Sequence, residues 1–235
     1  MFFAPDILST LTLPEEESAH CVQVLRVAIG DQIAITDGQG TIYQAEVTNP
    51  HKKHCEVRII SSEQPEPLHR GHIHIAIAPT KNIDRLEWMV EKCTEIGVDE
   101  ITPLLCRYSE RKTVNDDRLQ RIMVAAAKQS LKATFPVIHT MTPIRDFIAQ
   151  TKAQDLLIAH CADGYAANPN KYALQQCITP GHSVVVLIGP EGDFSEEEIN
   201  MALQAGYRPV SLGKARLRTE TAGLVAGHTA VLLNE

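Results

Sequence analysis

The sequence predicts an α/β fold with a largely parallel sheet over residues 69–235, preceded by a small β-rich domain over residues 1–68. Three observations predict it. After residue 70, short apolar runs alternate with amphipathic helical stretches, the order that builds parallel sheets. Ahead of residue 63, Asp37-Gly38-Gln39-Gly40 separates two alternating runs, a hairpin signal. Between these regions, Glu63-Gln64-Pro65-Glu66-Pro67 combines prolines with charge, which disfavours regular structure and marks a linker.

The elements follow in order. Residues 14–27 read as a short helix opened by Glu15, Glu16 and Glu17, because acidic side chains favour a helix N-terminus. Strands are expected at 32–36, 41–47 and 55–60. In the second domain, 73–78 is a strand. Residues 82–96 form a helix with Ile83, Leu86, Met89, Val90, Cys93 and Ile96 on one face and Gly97 at its end. Residues 101–105 are a strand, and 115–131 a helix capped by Asn115 or Asp116. Strands follow at 156–159, 183–188 and 209–212. A closing helix spans 221–233, where Ala222, Gly223, Ala226, Gly227 and Ala230 permit close packing.

Two strand-to-helix turns stand out. After the apolar run 184–188 comes Gly189-Pro190-Glu191-Gly192-Asp193-Phe194-Ser195. Glycine lets a ligand approach the main chain, and Ser195 with Glu198 forms a capping box that starts a helix, which Gly206 stops. After 210–212 comes Gly213-Lys214-Ala215-Arg216-Leu217-Arg218-Thr219-Glu220. There apolar residues interleave with cations, which suits a loop with one packed face and one charged face. Two such turns close in sequence point to a ligand site at the carboxyl ends of parallel strands.

Composition sets bounds. The chain has 235 residues, and its 44 % hydrophobic content is ordinary for a globular protein. No apolar run approaches the roughly 20 residues of a membrane helix, and the first residues lack a signal-peptide pattern. The six cysteines are scattered and form no Cys-x-x-Cys pair, so reduced thiols and a cytoplasmic location are expected. The net charge of −7 argues mildly against nucleic acid, yet a phosphate footprint needs only local cations. Such clusters occur at Arg107, Arg111 and Lys112, at Arg118 and Arg121, at Lys128 and Lys132, and at Lys214, Arg216 and Arg218. His72 and His74 share a strand face, but the sequence offers them no third ligand, so no metal site is expected. Glu87, Glu91 and Glu95 form one helical row, whose mutual repulsion asks for nearby cations; Arg111 and Lys81 are the candidates.

The motifs Ile188-Gly189-Pro190-Glu191-Gly192 and Leu212-Gly213 followed by Leu217-Arg218-Thr219-Glu220-Thr221-Ala222 resemble the RsmE family of SPOUT-class methyltransferases. So do residues 81–98, Ser109-Glu110-Arg111, and His20 with Val24-Leu25-Arg26 and Gly30-Asp31. Two positions depart from the family pattern. Asp193 stands where a glycine is common, and Gln129-Ser130-Leu131-Lys132 replaces Gln-Ser-Gly-Arg.

The resemblance implies a SPOUT-type parallel sheet with a C-terminal trefoil knot, behind a PUA-like barrel that grips RNA. It implies S-adenosyl-L-methionine as cofactor and N3 of a uridine in 16S ribosomal RNA as target, on free RNA or the small ribosomal subunit. It implies a homodimer. By resemblance, Ala159, His160, Leu187, Gly189, Glu191, Gly192, Leu212, Gly213 and Leu217 line the cofactor pocket. Arg218 is the candidate for stabilising charge on the base, and Glu220 for accepting the N3 proton, or alternatively for pairing with an arginine. Arg26, Lys81, Arg85, Arg111, Lys132 and Arg216 are the candidate RNA contacts. Two other readings fit: a SPOUT enzyme acting on tRNA ribose, and a PUA-type RNA binder with an inactive methyltransferase domain.

Overall fold

A computed structural model of the chain describes residues 1–161 and 171–235. The chain divides into two compact units. The first is Met1–Pro67 with Val124–Phe135, and the second is Leu68–Met123 with Pro136–Glu235. The segment 124–135 thus belongs with the amino-terminal residues, an arrangement that a division at the proline linker does not anticipate.

In the first unit, β1 (Phe2–Phe3), β2 (Gln32–Thr36), β3 (Ile42–Asn49) and β4 (Glu56–Glu63) form one sheet in that order. β1 pairs with β2 in parallel, and the other pairs are antiparallel. Asp37 Oδ1 shapes the β2–β3 turn by accepting from the Gln39 and Thr41 amides, at 2.8 and 3.1 Å. Alternate residues Ile33, Ile35, Tyr43, Ala45, Val47 and Val57 point into the core. Helices α1 (Ile7–Thr10) and α2 (Glu15–Ala19) precede β2, and α2 runs on into a π-helical turn over His20–Val24. The helix expected over 14–27 is therefore shorter and changes type. The segment 124–135 adds to this unit: Phe135 packs at a tilt against Phe3 with ring centroids 4.8 Å apart, and Thr36 Oγ1 donates to the Ala133 carbonyl at 3.1 Å.

In the second unit the elements are β5 (His72–Ile77), α3 (Ile83–Ile96), β6 (Glu100–Leu105), α4 (Asp116–Gln129, whose last turns belong to the first unit), β7 (Val137–Ile138), β8 (Thr142–Pro143), α5 (Ile144–Gln150), β9 (Asp155–Ala159), β10 (Tyr172–Ala173), α6 (Leu174–Cys177), β11 (Ser183–Ile188), α7 (Glu196–Gln204), β12 (Arg208–Ser211) and α8 (Thr219–Asn234). The sheet runs β10-β12-β9-β11-β5-β6-β7, with β8 also on β6, and its pairings are parallel. Asn82 caps α3 by accepting from the Asp84 amide, and Gly97 ends it at φ 98°. Asn115, not Asp116, caps α4, accepting from the Arg118 amide at 3.0 Å.

The central strand β5 is buried on both sides. Ala76 joins the face covered by Phe147 of α5 and Ile199 and Ala202 of α7. Ile77 meets α8 on the other face, where a Cβ added to Gly223 would lie 2.8 Å from its Cδ1. Ile73, Ile75 and Ile77 are fully buried, and each such side chain contributes about 1.5–3 kcal/mol of hydrophobic stabilisation.

Candidate active site

The parallel register brings three strand ends together. Ile188 at the end of β11 is level with Ala159 of β9, which in turn pairs with Val210 of β12. The segments that follow, from His160, from Gly189 and from Leu212, therefore leave the sheet at one edge, its carboxyl end. Of the sequence-predicted cofactor residues, Leu187 is fully buried and anchors β11. Ala159, His160, Leu212 and Leu217 are half-buried, while Glu191, Gly192 and Gly213 are exposed.

Gly189 leaves little room for a side chain: a Cβ there would lie 3.2 Å from the Phe194 amide nitrogen and 3.1 Å from its ring, so Phe194 would have to shift. Phe194 is thus folded tightly over the turn. Gly213, at φ +119°, has nothing within 4 Å of a Cβ, so its turn faces open space.

Asp193 ties two of the segments together. Its Oδ2 accepts from the Cys161 amide at 2.7 Å, and its Oδ1 from its neighbour Phe194 at 2.8 Å. Its φ of 65° lies in the left-handed region, which a glycine would occupy without steric cost. Sequence reasoning treats Asp193 only as a departure from the family pattern. The only signal available to it was the side chain itself, since Asp tolerates that backbone conformation better than most residues.

The Glu191 carboxylate is tied to a neighbouring loop. Oε1 accepts from the Lys81 amide at 2.9 Å, which fastens the β5–α3 loop to the β11 turn. Arg111 clamps the same loop, donating to the Thr80 and Lys81 carbonyls at 3.2 and 2.8 Å. Lys81 itself is exposed and pairs with Glu110 at 2.8 Å, a contact that raises its pKa. Arg111 and Lys81 therefore do not neutralise the row of glutamates on α3. Glu87 is instead held by Arg118 through Nε and Nη2, and Lys92 bridges Glu91 and Glu95.

Arg218 is the N-cap residue of α8, and its side chain is exposed. Glu220, in the first turn of that helix, is buried. Its Oε1 lies 3.9 Å from Nε of the half-buried Arg85, and its Oε2 has no hydrogen-bond partner among the described residues. A buried carboxylate oxygen without a donor is costly, which singles this atom out for chemistry. Arg216 is exposed in the loop between β12 and α8, and Lys171 donates to the His160 carbonyl at 2.8 Å.

Two candidates lie in the first unit. Arg26 follows the π-helical turn, is exposed, and has a φ of 56°. Such strain in a non-glycine residue, next to a π turn, recurs at functional sites. Lys132 is half-buried, and its amide donates to the Ala127 carbonyl where α4 ends.

Residues 66–231 match the family model for an RNA methyltransferase domain, and residues 13–60 match the one for an RNA methyltransferase PUA domain. The chain belongs to the RsmE family of SPOUT-class, S-adenosylmethionine-dependent RNA methyltransferases. A ribosomal RNA small subunit methyltransferase E from Synechocystis is 30 % identical over 223 residues, 94 % of this chain and 72 % of that one. A solved probable rRNA-methyltransferase from Porphyromonas gingivalis is 45 % identical with a TM-score of 0.92, covering 99 % of this chain and 97 % of that one. The Neisseria gonorrhoeae ribosomal RNA small subunit methyltransferase E, solved bound to S-adenosyl methionine, is 29 % identical with a TM-score of 0.82, covering 96 % and 94 %.

Proposed function

We propose that this RsmE-family protein methylates N3 of a uridine in 16S ribosomal RNA, using S-adenosyl-L-methionine. One observation carries the reading: β9, β11 and β12 end level at the same carboxyl end of the sheet, and the chain past β12 leads directly to a buried Glu220 with an oxygen that has no partner among the described residues.

These residues fit the cofactor. Open space beside Gly213 and the half-buried edges of Leu212 and Leu217 suit an adenosyl group that is nearly apolar. When bound, it supplies an activated methyl group on a sulfonium. Leu187, Gly189, Gly192, Leu212, Gly213, Leu217, Ala159 and His160 make the wall of that pocket in this reading, and Glu191 holds the wall's shape through the Lys81 amide. Positioning of this kind supplies as much as about 7–11 kcal/mol of a barrier.

The reaction forms an N3–CH3 bond, breaks the S–CH3 bond and releases the N3 proton. Glu220 Oε2 accepts that proton, and Arg85 keeps the carboxylate in place through Oε1. Arg218 steadies the charge that develops on the base. Arg26, Lys81, Arg85, Lys132 and Arg216 contact RNA, while Arg111 acts one step back by fixing the Lys81 loop. In this reading Arg26 and Lys132 of the first unit add to the grip on RNA, and the second unit carries the transfer together with the contacts from Lys81, Arg85 and Arg216. The protein works in the cytoplasm as a homodimer, on 16S RNA or the small subunit. The trefoil knot belongs to the same reading; the insertion of β11 between β5 and β9, with β12 beyond β9, supports it.

The test is to incubate the protein with labelled donor and 16S RNA, and separately with assembled small subunits, and to map the product by mass spectrometry. A single N3-methyluridine is expected. Label on a ribose, or donor binding without transfer, would replace this reading with one of the two alternatives.

A further inference from the structure

At the end of the sheet opposite the methyl-transfer residues, three histidines converge on one carboxylate. Glu100 opens β6 and is the register partner of His74 on β5. Glu100 Oε2 lies 3.3 Å from His74 Nδ1 and 2.7 Å from His139 Nε2. His139 directly follows β7, and its amide donates to the Ile101 carbonyl at 2.9 Å, which fixes it beside Glu100. One ligand atom from each of His74, Glu100 and His139 lies within 4.8 Å of the others. The sequence placed His72 and His74 on one strand face but could not supply the third ligand. The sheet supplies it from residues 26 and 65 positions beyond His74.

We propose that His74 Nδ1, Glu100 Oε2 and His139 Nε2 bind a divalent transition-metal ion of the zinc class. The donor set is two imidazoles and a carboxylate, which suits such ions and leaves a fourth position for water. Ligand atoms around a tetrahedral zinc lie about 3.3–3.4 Å apart, as bond lengths near 2.0–2.1 Å require. The His74–Glu100 separation already meets that, the His139–Glu100 contact needs to open slightly, and the ligand atoms of the two histidines lie within 4.8 Å of each other. A surrounding set of polar groups is also in place. His74 Nε2 is 2.7 Å from Thr102 Oγ1, which turns Nδ1 toward the carboxylate. His72 Nε2 holds the other oxygen of Glu100 at 2.8 Å. Phe147 stacks edge-on against His74 at 5.2 Å, closing one side of the site, while the His139 side chain is 41 % exposed and leaves an entry path. The bound ion would cross-link β5, β6 and the segment after β7. It would act as a staple at this end of the sheet, independent of the methyl-transfer reading.

The experiment titrates zinc chloride into untagged, chelator-washed protein, following heat and melting temperature. A single site with micromolar or tighter affinity and a higher melting temperature is expected. His139→Ala and Glu100→Gln should each weaken zinc binding at least about tenfold. Both keep the buried His74, and an unchanged circular dichroism spectrum with unchanged S-adenosylmethionine affinity would show that they fold. Cobalt substituted for zinc should give the visible bands of a low-coordinate site, lost in the same variants. Absence of binding, or equal binding by wild type and both variants, would overturn the proposal. So would loss of binding on replacing the stacked surface pair His51 and His54 instead, whose rings lie 3.7 Å apart.

Discussion

Asp193 and Leu131 are two places where this chain carries a side chain and the family pattern often has glycine. Both have left-handed backbones, at φ 65° and 57°. The pattern's glycine is therefore a backbone requirement, and this chain meets it by two different means. Asp193 compensates with hydrogen bonds from the Cys161 and Phe194 amides. Leu131 is 65 % exposed and gains little in return. Replacing Leu131 with glycine removes a left-handed cost of about 1–2 kcal/mol against about 0.5–1 kcal/mol of unfolded-chain entropy. Chemical denaturation should therefore show Leu131→Gly to be as stable as wild type or slightly more so. Asp193→Ala keeps the strain and loses both hydrogen bonds, each worth about 1.5–3 kcal/mol when one partner is charged. It should weaken S-adenosylmethionine binding at least tenfold by calorimetry, and Asp193→Gly should weaken it less. Unchanged S-adenosylmethionine binding by Asp193→Ala would remove Asp193 as the tie between the β9 and β11 segments.

At the scale of elements, α8 is set by its glycines. A Cβ on Gly227 would lie 2.9 Å from Val98 Cγ2, and the packing includes Ile96 and Cys93 of α3. Gly227→Val therefore overpacks the α3–α8 contact and should cost about 1–3 kcal/mol in urea unfolding. A variant as stable as wild type would mean that the two helices can separate without penalty. The same helix carries Arg218 and Glu220 at its start, so its seating positions the proposed chemistry. Arg218→Ala should lower the methylation rate far more than cofactor affinity, and a parallel fall in both would take away its role at the base. Long elements were legible in sequence: the periodicity of residues 82–96 and the capping box at Ser195 and Glu198 both correspond to observed helices. The two-residue strands β1, β7, β8 and β10 were not, because two residues carry no period. The short helices α1, α5 and α6 were missed for a related reason: 4–7 residues complete at most two turns.

At the scale of the whole molecule, a net charge of −7 has to be reconciled with an RNA substrate. Local cations resolve it, and binding should then fall steeply with salt. Arg26→Ala should weaken RNA binding and flatten the salt slope by about 0.7–0.9. It should leave S-adenosylmethionine binding intact, since Arg26 belongs to the first unit and the cofactor segments to the second. Filter binding across a salt series reads the first effect and calorimetry the second.

By itself the sequence determined the α/β character of residues 69–235, the two glycine turns and the family. Each of these is written locally, in strand runs, helix caps and contiguous motifs whose physics needs no distant neighbour. Tertiary structure decided which groups meet. Arg118 rather than Arg111 neutralises Glu87, Arg85 faces Glu220, Asp193 holds the Cys161 amide, and Glu100 with His139 closes around His74. Those partners lie far apart along the chain, and only the register of parallel strands and the packing of helices against one another and the sheet bring them within a few ångströms.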